Sequence, residues 1–433
     1  MCLSGWYVEN VLYSFFIIAG RDIMDSTNIR SKNEWLYECN IVSNSYRIKY
    51  AQYSTAAIDC QFMYFTANCQ DCFMCAGVRG KRYFFKNVQY TKEEYEKILA
   101  DYRLDTWSGV ERAKKEYAEF LSKNLKRRYA HILHSVNCTG DTISFSKNCK
   151  QCFVTKKSEN VRYSDFTNGN KDSSDVTMTG EVSECYEGAV VDHSQLNFFG
   201  VFSVKSQDLR YTQHCHSSKH LFGCVGLKSA KYCIFNKEYT KEEYEKLVPK
   251  IIEQMNKMPY IDNVGNSYAY GEFYPIELSP FGYNETNAPE VTPLTKEEAL
   301  KNGYNWQDDI QKTLGKETLK PDDIPDSINN VDDSILNEVL SCIECERNYK
   351  IVPSELIFYR KMNIPIARKC FFCRHGERIK NRKQFKLWHR SCMCKQNDHS
   401  HGEGECKIEF ETPYNPDGPE LIYCEKCYQA EVY

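Results

Sequence analysis

The sequence lacks a run of about 18 or more apolar residues, which a transmembrane helix requires. Its best apolar stretch, residues 11–19, lies between Glu9 and the Arg21-Asp22 pair. That stretch has neither the basic start nor the small-residue exit of a signal peptide. We therefore expect it to form a buried strand or short helix in a cytoplasmic protein that makes no membrane contact.

An excess of charge of one sign is also missing. Lys and Arg number 56 against 59 Asp and Glu, so the net charge is −3 and no chain-wide basic field attracts nucleic acid. The sequence contains no nucleophile elbow, phosphate loop or dinucleotide fingerprint. Glu272, Glu277 and Glu285 are available for sugar chemistry, but their spacing names no catalytic pair. These absences favour a protein that is not an enzyme.

Cysteine and tyrosine are abundant, with 22 and 31 copies in 433 residues, a length that suits two or three domains. Disulfide frameworks of that density belong to short secreted chains, whereas this chain is long and shows no export signal. We therefore interpret the cysteines as thiols and metal ligands. Thirteen lie between Cys2 and Cys233 and nine between Cys342 and Cys427, which divides the chain into two chemically different regions.

An internal duplication marks the first region. Residues 72–97 and 221–246 share their spacing of cysteine, glycine, tyrosine and asparagine, and both end in Tyr-Thr-Lys-Glu-Glu-Tyr-Glu-Lys. Such self-similarity indicates a repeated supersecondary unit. Thr91, Thr240 and Thr295 each open a Thr-x-x-Glu capping box, which predicts the start of a helix.

The sequence between these predicted helices is rich in Asn, Ser, Thr and Asp. Cys39 and Cys60 lie 21 residues apart, about the length of one β-solenoid coil, and Asn-Cys-x-x-Cys-Phe occurs at 68–73 and at 148–153. We therefore predict a right-handed β-solenoid-like domain over residues 1–260, in which small thiols and aromatic rings stack inward. The predicted fold class is mostly β with inserted helices, plus a small C-terminal zinc-binding module.

Composition and spacing set the other boundaries. Apolar residues recur at helical spacing over 108–133, which predicts a helix inserted in the solenoid. Residues 261–314 are aromatic and punctuated by proline, so we expect a strap lying on the solenoid. Residues 315–335 contain five Asp and are expected to form an acidic linker to a double zinc module at 336–433.

The strongest chemical signal is a pair of Cys-x-x-Cys knuckles, formed by Cys342, Cys345, Cys370 and Cys373. Four thiolates in this spacing can close a tetrahedral Zn²⁺ with Zn–S distances of about 2.3 Å. The segments Cys-Ile-Glu-Cys-Glu-Arg-Asn-Tyr-Lys-Ile (342–351) and Arg-Lys-Cys-Phe-Phe-Cys-Arg (368–374) resemble the small treble-clef family called "probable zinc ribbon". This resemblance implies a zinc-stabilised fold at the C-terminus and no activity.

A second set of possible ligands comprises Cys392, Cys394, Cys406, Cys424 and Cys427. We favour Cys394, Cys424 and Cys427 and leave Cys392 and Cys406 as alternatives for the remaining position. The nearby histidines, which we interpret as loop surface, are His389, His399 and His401. The two sets together predict two structural zinc ions.

The other cysteines and histidines give weaker metal signals. Cysteines at Cys-x-x-Cys spacing in the first region are Cys69, Cys72, Cys75, Cys149 and Cys152. The second copy of the duplicated unit keeps only Cys224 and has Ser218 and Leu221 at the other two positions, so we favour a cysteine ladder inside the solenoid over a metal site. His214, His216 and His220 are interpreted as solenoid surface.

The stretch between the two zinc sites is strongly basic, since residues 342–395 hold fourteen Lys or Arg against four Glu. The candidate contacts are Arg374, Arg378, Arg382, Lys383, Lys386, Trp388 and Arg390. Basic residues interleaved with aromatic rings suit phosphate contacts and base stacking, so residues 374–390 are expected to bind nucleic acid or an acidic protein. The alternative is a solvated face beside the zinc, with Trp388 in a small core, or a face covered by the acidic linker.

The whole chain also resembles bacterial proteins of metagenomic origin that share its repeats, its Tyr-Asn-Glu-Thr strap at 283–286 and its double zinc C-terminus. That resemblance implies the architecture and no function. Our first hypothesis is a zinc-binding, non-enzymatic scaffold or binding protein with a basic zinc module. The second is a β-solenoid hydrolase or lyase that acts on a polysaccharide, with purely structural zinc. The sequence leaves the oligomeric state open.

Overall fold

The computed structural model describes residues 2–380, 383–397, 399, 401–418 and 420–432, and within them the fold is mostly β. The strands are β1 (Cys2–Leu12), β2 (Ser14–Met24), β3 (Thr27–Ile29), β4 (Asn33–Tyr37), β5 (Asn40–Ser43), β6 (Tyr46–Thr55), β7 (Gln61–Tyr64), β8 (Gln70–Ala76), β9 (Arg82–Phe85), β10 (Val88–Gln89), β11 (Lys126–Arg128), β12 (Ile132–Leu133), β13 (Gly140–Ser144), β14 (Lys150–Lys156), β15 (Glu159–Asn168), β16 (Lys171–Gly180), β17 (Tyr186–Asp192), β18 (Gln195–Val204), β19 (Gln207–Gln213), β20 (Lys219–Phe222), β21 (Lys231–Ile234), β22 (Lys237–Glu238), β23 (Tyr260–Ile261), β24 (Ser267–Tyr268), β25 (Leu340–Ser341), β26 (Asn348–Tyr349), β27 (Trp388–Ser391), β28 (Glu409–Thr412) and β29 (Leu421–Tyr423). The α-helices are α1 (Lys92–Asp101), α2 (Trp107–Asn124), α3 (Lys241–Lys257), α4 (Ala288–Val291), α5 (Lys296–Lys301), α6 (Pro353–Met362), α7 (Phe371–Lys380) and α8 (Glu425–Val432).

Strands β1 to β10 form the first large sheet, which is parallel except for its last hairpin, β9–β10. Lys49 pairs with Gln61, and Gln61 pairs with Phe73, so neighbouring strands keep a 12-residue offset. One extra residue enters early in the sheet, where Gly20 pairs with Asn33. The expected stretch at residues 11–19 lies in this sheet, across the end of β1 and the first half of β2.

Strands β12 to β22 form the second large sheet in sequential order. The parallel strands β13 to β21 keep the same 12-residue offset, whereas β12 pairs with β13 at an offset of 11 residues and β21 and β22 form an antiparallel hairpin. Six consecutive strands pair through Ser174, Tyr186, Phe198, Arg210, Phe222 and Ile234. The longer repeat expected from the spacing of Cys39 and Cys60 is therefore wrong. Inward positions recur at every third residue in both sheets, so two inward cysteines can be separated by any multiple of three.

A left-handed residue precedes each inward side chain along most of both sheets. Tyr50 and Tyr53 have φ values of 55° and 51°, and the residues that follow them, Ala51 and Ser54, are buried. This conformation costs about 1–2 kcal/mol for a residue with a Cβ, and the inter-strand hydrogen bonds of the parallel sheet offset that cost. Many of these left-handed positions hold bulky residues such as Tyr50 and Tyr53. For this reason no regular pattern of glycine or asparagine in the sequence indicates where the chain turns.

Cysteine and serine fill the inward positions in equivalent ways. The Cys60 thiol donates to the carbonyl oxygen of Ile58, two residues earlier, with an Sγ–O distance of 3.2 Å. The Ser45 hydroxyl likewise donates to the Ser43 carbonyl at 2.9 Å, and it also accepts the N–H of Ala57, one 12-residue offset away, at 3.1 Å. The thiols of the sheets are therefore hydrogen-bonded core residues.

The helix starts that the capping boxes predict are present at Thr91, Thr240 and Thr295. The helix predicted over 108–133 is too long, because α2 ends at Asn124. The next residues form β11, which pairs in parallel with β29 near the C-terminus. The segment that follows α2 therefore forms a strand whose partner, β29, lies far away in the chain. The local spacing of residues does not indicate this pairing.

Residues 315–335, which we expected to form an acidic linker, pack against the first sheet and α6. Their buried apolar side chains are Ile324, Ile328, Val331 and Ile335, and these lie in one core with Met24 and Tyr37 of the first sheet and Tyr359 of α6. Apolar residues at helical spacing alternate with the aspartates, so the segment buries one face and exposes its charges. The prediction of a linker rested on the five aspartates and did not take these apolar residues into account.

The aromatic segment 261–314 contacts the second sheet through Tyr211. The Gly271 N–H donates to the Tyr211 hydroxyl at 3.2 Å, and that hydroxyl donates to the Glu272 carbonyl at 3.0 Å. The rings of Phe199 and Tyr270 also meet, with centroids 6.0 Å apart.

In the part of the chain that the structure describes, none of the helices combines the length and the apolar character that crossing a membrane requires.

Candidate metal centres

The first cysteine cluster forms between a short hairpin and the start of a helix. Cys342 and Cys345 lie in the turn between β25 and β26, which the bond from the Cys342 N–H to the Arg347 carbonyl closes at 3.0 Å. Cys370 immediately precedes α7, and Cys373 lies in the first turn of that helix. The hairpin turn and the helix start bring together the four sulfur atoms that the knuckle spacing predicts, each within 4.8 Å of the others.

The geometry of this cluster suits one tetrahedral ion. A Zn–S distance of about 2.3 Å places two sulfur ligands about 3.8 Å apart, and the Sγ atoms of Cys345 and Cys370 lie 3.7 Å apart. Burial opposes ionisation of Cys342, but backbone N–H donors, led by that of Cys370, lower its pKa to about 7. Hydrogen bonds from backbone N–H groups therefore favour the thiolate of Cys342, whereas burial raises the pKa of Cys370.

The second cluster lies where a hairpin meets the last helix. Cys392 follows β27 and Cys406 precedes β28, and the Cys392 N–H donates to the Ile408 carbonyl at 2.9 Å. Cys424 follows β29, and Cys427 lies in the first turn of α8. The four sulfur atoms are buried and lie within 4.8 Å of one another, and the Sγ atoms of Cys406 and Cys424 are 3.9 Å apart.

This arrangement corrects the ligand assignment made from the sequence. Cys392 and Cys406 both join Cys424 and Cys427, so they are not alternatives, and Cys394 is not a member of this set. Cys394 instead faces His399, with its Sγ 3.0 Å from Nδ1. The chain turns after β27, so the side chain of Cys394 does not reach the position that Cys392 occupies.

The interpretation of His399 and His401 as loop surface is also wrong. His399 is only 8% exposed, His401 is half-buried, and both belong to a third group of possible ligands, Cys394, His399, His401 and Cys427. The ring of His389 lies on the exposed β27–β28 hairpin between Glu409 and Glu411. In a short polar loop, composition does not indicate which way each side chain points. The sequence therefore could not distinguish His399 and His401 from the exposed His389.

The cysteines of the parallel sheets lie apart from these groups. Each of the three possible metal-binding groups in the described part of the chain draws its ligands from residues 342–427. The Cys72 thiol donates to the carbonyls of Gln70 and Lys81, at 3.2 and 3.4 Å. The equivalent bonds made by Cys149 and Cys152 follow the same pattern, as an inward cysteine ladder requires.

The histidines around Cys215 lie on the outside of the second sheet. The ring of His214 stacks on Phe202 at a centroid distance of 4.9 Å, and His220 stacks on Tyr232 at 4.8 Å. His216 is half-buried beside the buried Cys215. These rings therefore extend surface stacks along the 12-residue offset.

Most of the predicted nucleic-acid contacts are occupied inside the molecule. Arg374 and Arg378 are 5% and 7% exposed, and both pair with the fully buried Asp25, with N–O distances of 2.9 and 3.0 Å. Arg374 also lies 3.6 Å from a carboxylate oxygen of Glu355. The assignment of these two arginines to a nucleic-acid surface is wrong, because α7 directs them into the first sheet.

Lys383 is withdrawn from the surface in the same way, since its ammonium lies 3.0 Å from Asp141 of β13. Arg382 falls outside the described residues. Arg390 donates to the Asn415 carbonyl at 3.1 Å, and the Lys386 ammonium lies 5.4 Å from the centre of the Trp388 ring. Lys386, Trp388 and Arg390 are the predicted contacts that the described structure leaves near the surface.

A groove of about 810 Å³ separates α2, the first sheet and the C-terminal module. The aromatic residues Tyr64, Tyr117, Trp388 and Tyr414 line it, together with charged residues of both signs. Arg127 reaches the Tyr64 hydroxyl at 2.6 Å and forms no ion pair with a described residue. Sequence reasoning missed this groove, because its walls come from three separate parts of the chain.

Two of the three acids considered for catalysis, Glu277 and Glu285, make structural hydrogen bonds. Glu277 accepts the Tyr260 hydroxyl and, at 2.9 Å, the N–H of Asn263. Glu285 accepts the N–H of Gly282 at 2.7 Å and so caps a short turn. Both carboxylates therefore hold the aromatic segment in shape.

No protein-family model and no curated protein matches this chain. Among solved structures, the chain is similar to a "putative acetyltransferase from Desulfovibrio desulfuricans G20" at 11% identity over 58% of this chain and 70% of that chain, with a TM-score of 0.10. A UDP-N-acetylglucosamine acyltransferase from Campylobacter jejuni is similar at 7% identity over 60% of this chain and 84% of that chain, with a TM-score of 0.09. Scores this low carry no argument about fold or function, so the case for function rests on the geometry of the chain itself.

Proposed function

We propose that this protein is a zinc-stabilised, non-enzymatic binding protein, in which a metal-bearing C-terminal module joins two right-handed β-solenoid segments. The constant 12-residue offset across six strands, from Ser174 to Ile234, supports the solenoid segments. The left-handed residue before each inward position gives the chain a corner at every third residue. Crossovers between parallel strands are right-handed in nearly all proteins, which supports the handedness.

The donor sets support zinc as the metal. Four thiolates in tetrahedral geometry select zinc or iron–sulfur chemistry among the common metals. Sulfur atoms all within 4.8 Å of one another suit one ion, and a cluster of several irons needs ligands that are farther apart. Four protein ligands leave no open position for a substrate, which is typical of a structural site.

The observation that carries the proposal is the position of α7. The helix holds ligands of the first cluster at its start, at Cys370 and Cys373, and it then sends Arg374 and Arg378 into the buried pairs with Asp25. An ion that fixes the start of α7 therefore also fixes the contact between the module and the first sheet. Metal binding is in this way coupled to the shape of the groove that these parts enclose.

Metal content tests the zinc assignment. Cys370→Ser removes one ligand of the first cluster, and we expect the full chain to lose one zinc ion relative to wild type, as measured by elemental analysis and native mass spectrometry. Cys233→Ser is the matched control, because it removes a buried thiol of the second sheet and should leave the zinc content unchanged. A folded Cys370→Ser chain that keeps all its zinc would overturn the assignment.

As the ligand of the groove we propose single-stranded nucleic acid. Arg127 lines the groove and forms no ion pair with a described residue, although the Glu420 carboxylate in the same groove attracts its guanidinium. Trp388 lines the groove, and the Lys386 ammonium lies 5.4 Å from the centre of its ring. The rings of Tyr64 and Tyr414 add aromatic surface. Aromatic rings beside cations bind single strands by base stacking and phosphate contact.

Titration of the full chain with mixed-sequence single-stranded RNA and DNA at two salt concentrations tests this ligand. Arg127→Gln with Lys386→Gln should weaken binding and lower the salt slope by about 0.7 per lost phosphate contact. Lys156→Gln with Lys157→Gln makes the same charge change at exposed sites on the second sheet and is the control. Absence of binding at low salt, or equal loss in both double variants, would contradict the proposal.

A further inference from the structure

Cys427 belongs to two ligand groups at once. It completes the four-sulfur cluster with Cys392, Cys406 and Cys424, and it also completes the group formed by Cys394, His399 and His401. In each group all the ligand atoms lie within 4.8 Å of one another. The two groups therefore share one sulfur atom and have three further ligands each.

The geometry points to a binuclear metal cluster at the C-terminus, in which the Cys427 thiolate bridges two zinc ions. One ion takes the sulfur atoms of the second cluster, and the other takes the remaining set of Cys394, His399 and His401. A thiolate sulfur has enough lone pairs to bind two metals, so each ion reaches four ligands. This inference rests on the zinc assignment above and adds a third ion to it.

Distances and burial support the second half of the cluster. Tetrahedral zinc with sulfur and nitrogen ligands places these atoms about 3.5 Å apart. The Cys394 sulfur lies 3.0 Å from His399 Nδ1 and 3.5 Å from His401 Nε2. Cys394 and Cys427 are 0% and 1% exposed, so these sulfur atoms are shielded from bulk water.

The surroundings of His399 are those of a metal ligand. Its Nδ1 faces the sulfur, and its other ring nitrogen, Nε2, lies 3.6 Å from a carboxylate oxygen of Glu431 in α8. Histidines that bind metals commonly donate their second N–H to a carboxylate, which fixes the tautomer and the ring orientation. Glu431 also pairs with Lys126 of β11, so the surrounding chain holds the carboxylate in place.

Charge balance favours the second ion. One Zn²⁺ with four thiolates leaves a buried site with a net charge of −2, and buried charge without a partner is costly. A second Zn²⁺ with the Cys394 thiolate and two neutral imidazoles reduces the net charge of the cluster to −1. The arrangement of seven ligands around two ions therefore lowers the electrostatic cost of burying five thiolates.

Native mass spectrometry and elemental analysis of the full chain count the ions. We expect three zinc ions in wild type, and two in Cys394→Ser and in His399→Gln. His389→Gln is the matched control, because that histidine lies on the same hairpin and pairs with Glu409 and Glu411 without belonging to a ligand group among the described residues, and it should keep three. The Cys370→Ser variant reports on the first cluster alone, so its result distinguishes failure of the zinc assignment from failure of this inference.

A wild-type count of two would overturn the binuclear cluster while leaving the two four-sulfur sites intact. A measurement on the wild-type chain covers the case in which the variants do not fold. After exchange of zinc for cadmium-113, a shared sulfur makes two of the three cadmium signals couple to each other in the NMR spectrum. Three signals without coupling would show separate sites and would also overturn the inference.

Discussion

Asp25 has the strongest predicted effect at the scale of single residues. It is fully buried and pairs with Arg374 and Arg378, which belong to the distant C-terminal module. Asp25→Asn keeps the shape and suits the left-handed backbone at this position, where φ is 51°, but it leaves buried guanidinium charge uncompensated. We expect the free energy of unfolding to fall by about 3–5 kcal/mol, measured by denaturant titration of the zinc-loaded chain.

Asp22→Asn is the control for this effect. Asp22 carries the same charge in the neighbouring strand β2 and pairs with Lys361, whose side chain is 36% exposed. Exposed pairs contribute up to about 1 kcal/mol, so the control should lose little stability. Similar losses in the two variants would show that the buried pairs do not hold the C-terminal module on the first sheet.

The inward thiols predict a pH dependence. Burial raises the pKa of Cys39 to about 12 and that of Cys185 to about 11, from an ordinary value of 9.0. The folded chain therefore holds these protons more tightly than the unfolded chain. Their contribution to the free energy of unfolding is constant below about pH 9 and falls as the pH rises from there towards 12.

Thiol labelling measures the same property. Iodoacetamide at pH 8 should leave Cys39 and Cys185 almost unlabelled in the native chain, because the thiolate is scarce and access is poor. Half-buried Cys138 should react first among the sheet cysteines whose exposure the structure describes. Labelling of Cys39 at the rate seen in denatured protein would contradict the inward ladder.

The sequence predicted individual residues best where their signal is local. The first cluster could be predicted because both knuckles are short, contiguous motifs. The second could not be resolved, because Cys392 and Cys394 are close neighbours in the chain and only the β27–β28 hairpin decides which of them faces Cys424. Three residues of the basic stretch, Arg374, Arg378 and Lys383, were wrongly assigned to a binding surface because their partners, Asp25 and Asp141, lie in distant parts of the chain.

At the scale of elements, Gly140 tests the close stacking of neighbouring strands. It begins β13 with a φ of 134°, and a Cβ atom there would lie 1.8 Å from the carbonyl oxygen of Cys152 in β14. Backbone cannot move aside cheaply, so Gly140→Ala should lower the melting temperature strongly. Gly80 has a φ of 61° and open space around it, so Gly80→Ala carries only the conformational cost of about 1 kcal/mol.

The two glycine variants are compared by thermal unfolding of the zinc-loaded chain. A much larger loss for Gly140→Ala follows from the 12-residue offset, which brings Gly140 directly opposite Cys152. Equal losses would mean that β13 and β14 are not paired in this register. The measurement therefore tests the strand pairing without any reference to metal.

Among the elements, the helix starts were predictable and the strand register was not. Capping boxes at Thr91 and Thr240 are local, so they could be recognised directly in the sequence. The corners of the parallel sheets depend on left-handed residues such as Tyr50 and Tyr53, whose side chains carry no signal for that conformation. The conformational free energy that these left-handed residues cost is offset by hydrogen bonds to neighbouring parallel strands. A single stretch of sequence does not show which strands will pair.

At the scale of the whole molecule, the C-terminal module packs against the N-terminal part of the chain. β29 pairs with β11, α7 reaches Asp25 in the first sheet, and residues 315–335 share a core with that sheet and with α6. The division into two regions at the cysteine-free segment was therefore chemically informative, although the two regions pack together. Loss of the metals should affect the contacts between them more than either parallel sheet.

Hydrogen exchange of the full chain, with and without metal, tests this coupling most directly. After a strong chelator removes the metal, confirmed by elemental analysis, we expect faster exchange in α7, α8 and β27 to β29, because metal binding supplies much of the folding free energy of such a module. Strands β15 to β19 should keep their protection, since the possible metal-binding groups found among the described residues include none of their residues. Unchanged exchange in α7 and α8 after complete metal removal would contradict the claim that zinc stabilises this protein.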